Sequence, residues 1–315
     1  MNDLKGYFKG EHIVSFDQFD PRSLDVLFTI AKQMREVAQN AKPSRLLEGN
    51  IATLLFYEPS SRTMGSFDAA MKQLGGNTVV VTNPQQFSSA AKGESFQDTI
   101  RTFEAYCDVI VLRHPETGSV AKAASIAMHV PVINAGDGIG EHPTQALLDL
   151  FTIFELKGRL SGLKGLVAGD LLNGRTVHSL LKGLNLYGGN IVYLLAPKEL
   201  QLPMEFPDSN LTLVTVEDAH DIPRDCDFWY WTRVQKERFS NPADYERVNN
   251  RFVVTQAMLD TYGSRHMILM HPLPRVGEIE DAVDEDPRAV YLKSQIRNGM
   301  YVRMALLALV LGKAP

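Results

Sequence analysis

Residues 51–83 read IATLLFYEPSSRTMGSFDAAMKQLGGNTVVVTN. An apolar run (51–57) passes through a polar junction into a helical pattern (66–74), and a second apolar run follows (77–83). Strand, helix and strand in close succession make a βαβ unit, which joins two parallel neighbours in one sheet. The junction is the unusual part. A chain needing only a turn could use Gly or Asn; here Glu58, Pro59, Ser60, Ser61, Arg62 and Thr63 occupy it. A helix N-terminus presents free N–H groups and partial positive charge, so it suits a phosphate. Capping accounts for the serines but not for Arg62, because the dipole disfavours a cation in the first turn. Hydroxyls and a guanidinium fork together are what an anion wants.

The same alternation runs through the chain. Further candidate strands are 109–114, 130–136, 163–170, 190–197, 210–216, 227–233 and 267–274, with helical patterns at 95–106, 142–156 and 175–188. Short, fully apolar strands separated by helices imply parallel sheets covered on both faces. The strands outnumber what one compact sheet needs, so the expected fold is α/β, with two parallel-sheet domains. HPTQALLDLFTIFEL (142–156) is the natural bridge between them, and GMYVRMALLALVLGK (299–313) is a helix placed to pack back on the first half.

With 315 residues, 44% hydrophobic and 22% charged, the chain has ordinary globular composition and length for about two domains. A net charge of −5 excludes a global basic field for nucleic acid, so any anion site is a local cluster. Cys107 and Cys226 are too few for a disulfide framework or a CxxC zinc site. The N-terminus MNDLKGYFKGEH is polar and no apolar run approaches ~18 residues, so a cytoplasmic protein is expected, with no membrane partner. GDGIGEHPTQ reads GxGxG rather than GxGxxG, and no GxxxxGK[ST], HExxH or GxSxG occurs.

Ligands of open parallel sheets bind outside the carboxyl ends of the strands. Polar groups fall there repeatedly: EPSSRT, Arg113-His114, GDGIGEHPTQ, GDLLNGRT, TRVQKERF and HPLPR each follow an apolar run. Any one of them alone reads as a cap, a stiff turn or a solvated loop. Six together, with Lys92 in the Ser/Gly loop SSAAKGES, make a constellation for anionic ligands.

FYEPSSRT, SSAAKGES, VLRHP, NAGDGIGEHPTQALLDLFT, GDLLNGRTVHSL, TRVQKERF, MHPLPR and NGMYVRMALL resemble, in this order and over nearly the whole chain, the carbamoyltransferase family, and within it the aspartate-using branch. The resemblance implies two α/β domains joined by two helices. Residues 1–141 plus 292–315 would bind carbamoyl phosphate and 142–291 would bind aspartate, with 142–157 as a linking helix. It implies a homotrimer with shared active sites, no metal and no cofactor, and leaves room for a regulatory chain.

Residue by residue, Ser60, Ser61, Arg62 and Thr63 match the phosphate-binding segment, and Arg113 the arginine reaching phosphate and carbonyl oxygen. His142, with Thr63 and Arg113, matches the group that polarises the carbonyl. Gln145 and the backbone carbonyls of Leu273 and Pro274 match the amide contacts, and Ser88 and Lys92 the loop donated by an adjacent subunit. Arg175, Arg233 and Gln235 match the residues gripping the two aspartate carboxylates, and Glu58 the partner of Arg175 and Arg238 on domain closure. The implied reaction forms N-carbamoyl-aspartate and phosphate, a step of pyrimidine biosynthesis. Two anionic reactants in one cleft need local cations in quantity, which these residues supply.

The family's ornithine enzyme shows a Cys where this chain has HPLP, and Arg233 would repel a cationic acceptor. TRVQ and HPLP also disfavour an acylated ornithine. The alternative is a non-catalytic member acting as a binding or assembly subunit; the persistence of Arg62, Lys92, Arg113, His142, Arg175 and Arg233 weighs against it. Departures are Ser61 where Thr is commoner, Leu172-Asn173 for Lys-Tyr, and YLKSQIRNG (291–299), one residue longer and with Leu292 for Phe.

Overall fold

The computed structural model describes the chain apart from residues 1–2, 41–42, 88, 139, 204–209, 237–238, 240 and 250–251. It forms two compact units, Met1–Leu148 with Arg297–Pro315, and Asp149–Ile296. No described helix is long and apolar enough to cross a membrane.

The first unit runs α1 (Pro21–Gln39), β1 (Ile51–Phe56), α2 (Ser61–Gln73), β2 (Asn77–Thr82), α3 (Pro84–Phe87), α4 (Phe96–Glu104), β3 (Val109–His114), α5 (Ser119–Ile126), β4 (Val132–Asp137) and the start of α6 (Pro143–Lys157). Its sheet is parallel, in the order β2-β1-β3-β4. Every residue of β3 and β4 is buried, as parallel strands covered on both faces require. Chain order reverses between β1 and β3, because β1 leads to β2 on one side while β3 lies on the other. Such a switch point opens a crevice at the strand ends.

The sequence reading did not include α1. Asp20 caps it by accepting from the Ser23 N–H, and Pro21 occupies its first position. Leu24, Leu27, Phe28, Ala31 and Met34 form its buried face.

The second unit carries β5 (Lys164–Ala168), α7 (Arg175–Asn185), β6 (Asn190–Leu195), β7 (Leu211–Val216), β8 (Phe228–Trp231), α8 (Pro242–Asn249), α9 (Gln256–Tyr262), β9 (Ile268–Met270) and the start of α10 (Ser294–Val310). Its parallel sheet is ordered β7-β6-β5-β8-β9, with the switch point between β5 and β8. Trp229 and Trp231 are fully buried in its core with Leu166, Leu195 and Leu269.

The units divide at 148/149 and 296/297, inside α6 and α10, whereas the sequence reading puts the boundaries at 141/142 and 291/292. Along α6 the partners change: the Thr144 hydroxyl meets Arg303 of the first unit, and the Asp149 carboxylate meets Tyr230 of the second.

Candidate active site

Ser60 is the N-cap of α2, yet its side chain makes no capping bond, so the hydroxyl is not committed to the helix. Ser61 and Arg62 follow, both exposed, and Thr63 turns inward. Among the described residues Arg62 has no carboxylate partner.

Arg113, near the end of β3, is only 8% exposed. Its Nη1 donates to the Ala135 carbonyl at 3.1 Å, and its Nη2 lies 2.6 Å from Glu58 Oε2. The Nε is buried without a hydrogen-bond partner. Burial pulls the guanidinium below its ordinary pKa, and the Glu58 charge opposes that shift. The cation has room because residue 136 is glycine: at φ +130° a Cβ there would stand 2.5 Å from Arg113 Nη1.

His142 immediately precedes α6 and is 5% exposed. Its Nε2 lies 3.4 Å from Thr63 Oγ1, and its Nδ1 lies 3.3 Å from Thr144 Oγ1. The neighbouring Glu141 anchors the loop: one carboxylate oxygen accepts from Ser15 Oγ (2.8 Å) and the Phe16 N–H (2.6 Å). Gln145 follows half-buried, its N–H donating to the His142 carbonyl at 2.9 Å. The switch point of the first sheet therefore gathers the α2 N-terminus, Arg113 and the start of α6. Lys92 is exposed on a 3₁₀ turn, and Ser88 lies outside the described residues. A cavity of about 400 Å³ lined by Tyr57, Phe96, His114 and Lys122 among others takes in none of the residues matched to the family's site.

In the second unit the loops leaving β5 and β8 are tied together. Thr232 Oγ1 donates to the Ala168 carbonyl (3.1 Å) and accepts from the Asp170 N–H (3.2 Å). Buried Asp170 accepts from the Asn173 N–H (2.9 Å) and the Gln235 N–H (3.3 Å). The Asn173 carbonyl then receives the Arg175 N–H (3.0 Å) and Gln235 Nε2 (2.8 Å). Gly169, at φ +109°, permits the approach: a Cβ would fall 2.0 Å from the Thr232 carbonyl oxygen. Arg175, Arg233 and Gln235 are thereby brought to one switch point. Arg238 lies outside the described residues. Glu58, implied by the resemblance to meet Arg175 and Arg238, pairs here with Arg113 of its own unit.

After β9, His271 organises the HPLPR loop. Its Nδ1 accepts from the Leu273 N–H (2.8 Å), so the proton sits on Nε2, which faces Glu278 Oε1 at 2.7 Å. Leu273 adopts φ +55°, a left-handed conformation that this bond helps to hold. Burial holds His271 below its ordinary pKa, against the attraction of Glu278. Burial alone would raise Glu278, but the bond from His271 and the backbone amides outweigh it and leave the carboxyl below its ordinary range. The network continues as His271 N–H to Gln295, Gln295 to Asp149, and Tyr230 to Asp149.

Asp149, Asp170, Glu278, Thr144 and Arg303 were not read from the sequence as site residues. A usable signal existed for two of them: Arg303 is the single charge in MYVRMALLALVLG, and Asp149 the single charge in ALLDLFTIF. Among the described residues no group of three or more His, Cys, Asp or Glu is placed to hold a metal ion.

Residues 11–155 match the family model for the aspartate/ornithine carbamoyltransferase carbamoyl-P binding domain, and residues 161–310 the model for its Asp/Orn binding domain. The chain is 49% identical over 307 residues to the multifunctional protein pyr1-3 of Dictyostelium discoideum, covering 96% of this chain but 14% of that protein. It is 45% identical over 310 residues to the chloroplastic aspartate carbamoyltransferase 2 of Pisum sativum, covering 96% of this chain and 80% of that one. The solved aspartate transcarbamoylase of Trypanosoma cruzi in complex with carbamoyl phosphate and aspartate superposes with a TM-score of 0.89 at 38% identity, covering 98% and 99% of the two chains. With both of its domains matched by the family models, the chain belongs to the aspartate/ornithine carbamoyltransferase family.

Proposed function

We propose that this chain transfers the carbamoyl group of carbamoyl phosphate to the amino group of L-aspartate, giving N-carbamoyl-L-aspartate and phosphate, a step of pyrimidine biosynthesis. The observation that carries the reading is the meeting of Thr63 and His142 at 3.4 Å, at the sheet end that also holds the buried Arg113. The amine lone pair of aspartate attacks the carbonyl carbon, and the carbonyl π electrons move to oxygen. Thr63, Arg113 and His142 hold that oxyanion. The C–O bond to phosphate then breaks, and phosphate leaves with the electron pair and takes the amine proton. Catalysis is positioning and electrostatic stabilisation, without a covalent enzyme intermediate.

Ser60, Ser61, Arg62 and Thr63 hold the phosphate; Gln145 and the Leu273 and Pro274 carbonyls hold the amide. Arg175, Arg233, Gln235 and Lys92 hold the aspartate carboxylates, bidentate pairing being what arginine does best. In this reading the chain works in the cytoplasm as a homotrimer, with Ser88 and Lys92 completing a neighbour's site. Formation of N-carbamoyl-aspartate by the purified chain, with ornithine as control acceptor, tests it. Product with aspartate and little with ornithine is expected; the reverse, or no product, overturns the reading.

A further inference from the structure

One buried cation lies behind the histidine rather than in front of it. Arg303 of α10 is 5% exposed, and its guanidinium packs over the Phe67 ring at 5.2 Å. Its Nη1 donates to Ser66 Oγ at 3.0 Å, and its Nη2 lies 3.4 Å from Thr144 Oγ1. The Thr144 oxygen in turn stands 3.3 Å from His142 Nδ1. A guanidinium only donates. An oxygen that accepts from it can turn its own hydrogen toward the next acceptor, which here is His142 Nδ1. A neutral imidazole with Nδ1 accepting carries its proton on Nε2. The N-terminal end of α6 adds partial positive charge on the same side of the ring and works in the same direction.

We propose that Arg303, acting through Thr144, sets the tautomer of His142, so that the ring nitrogen facing Thr63 is a hydrogen-bond donor. Arg303 and Thr144 are positioning residues. Because Arg303 also binds Ser66 in α2, one side chain registers the two segments that carry Thr63 and His142. The chemical consequence rests on the carbamoyl-transfer reading: a donor at Nε2 stabilises the oxygen of the attacked carbonyl, whereas an acceptor there would repel it.

The tautomer is read without turnover. The full chain is labelled at histidine ring nitrogens, and the His142 resonances are assigned by comparison with His142→Gln. The expected wild-type pattern has a protonated Nε2 and an unprotonated Nδ1. Thr144→Val, close in shape but unable to relay, is expected to shift the ring toward the other tautomer; Thr144→Ser is expected to retain the wild-type pattern. Arg303→Met is expected to shift it as Thr144→Val does. A protonated Nδ1 in the wild type, or a pattern unchanged in both Thr144→Val and Arg303→Met, overturns the proposal. In the assay, Thr144→Val is expected to lower kcat by about 10-fold or more, short of the ~10²–10³ seen for outright loss of an oxyanion donor, with Thr144→Ser near wild type. Lack of all activity in a wild type with the expected tautomer would count against the carbamoyl-transfer reading alone.

Discussion

Gly136 and Arg113 are two residues with one geometry. The glycine's φ of +130° and the 2.5 Å separation between its absent Cβ and Arg113 Nη1 mean that any side chain strains the backbone and displaces the guanidinium. Gly136→Ala is therefore expected to lower kcat by about 10²-fold, the scale of a lost oxyanion donor, while reducing stability by only about 1–3 kcal/mol. A variant with normal kcat would remove Arg113 from the proposed chemistry. Arg233 answers a different question. Its truncation is expected to cost about 1.5–3 kcal/mol, roughly 10- to 100-fold in kcat/KM for aspartate, with carbamoyl phosphate binding little changed. Equal loss for both substrates in titration would break the assignment of Arg233 to the aspartate carboxylates.

At the scale of elements, the loop after β9 depends on a titratable pair. His271 lies below its ordinary 6.5 because it is buried, and Glu278 lies below its ordinary 4.5 because the bonds it accepts outweigh its burial. Both folded pKa values are depressed, so both contributions to stability are complete above the unfolded values and fade as pH falls. The free energy of unfolding in urea should decline from about pH 6.5 downward as His271 is forced to charge, and further below about 4.5 as Glu278 is protonated. His271→Gln should flatten the first part of that decline; parallel curves for variant and wild type would exclude the pair as its source. The positions of the strands were largely legible in the sequence, because each of the nine apolar runs read from it overlaps one of β1 to β9. The α1 helix was missed although its signals are local: Asp20 and Pro21 open it, and Leu24, Leu27, Phe28, Ala31 and Met34 recur at helical spacing. The supporting hydrogen bonds were not legible at all. Gln235 and Asn173 are 62 positions apart, Asp149 and Gln295 146, and Thr144 and Arg303 159, and no local pattern encodes such pairings.

For the molecule as a whole, the residues proposed to bind the two anionic substrates divide by unit: Ser60 to Gln145 in the first, Arg175 to Gln235 in the second. If neighbours complete one another's sites, inactive Lys92→Ala chains mixed with inactive Arg175→Ala chains should recover part of the activity, since some sites in mixed assemblies would draw both wild-type residues. Absence of recovery after subunit exchange, verified by mass, would argue for self-contained sites. The chain path adds an order of events. The second unit is one continuous stretch, Asp149–Ile296, but the first is interrupted and needs Arg297–Pro315 as well. Val302, Met304, Ala305, Leu306 and Leu307 in that last stretch are fully buried. During synthesis, then, the stretch up to Leu148 precedes its own closing helix by the whole of Asp149–Ile296, and its sheet must wait for that insertion to be made.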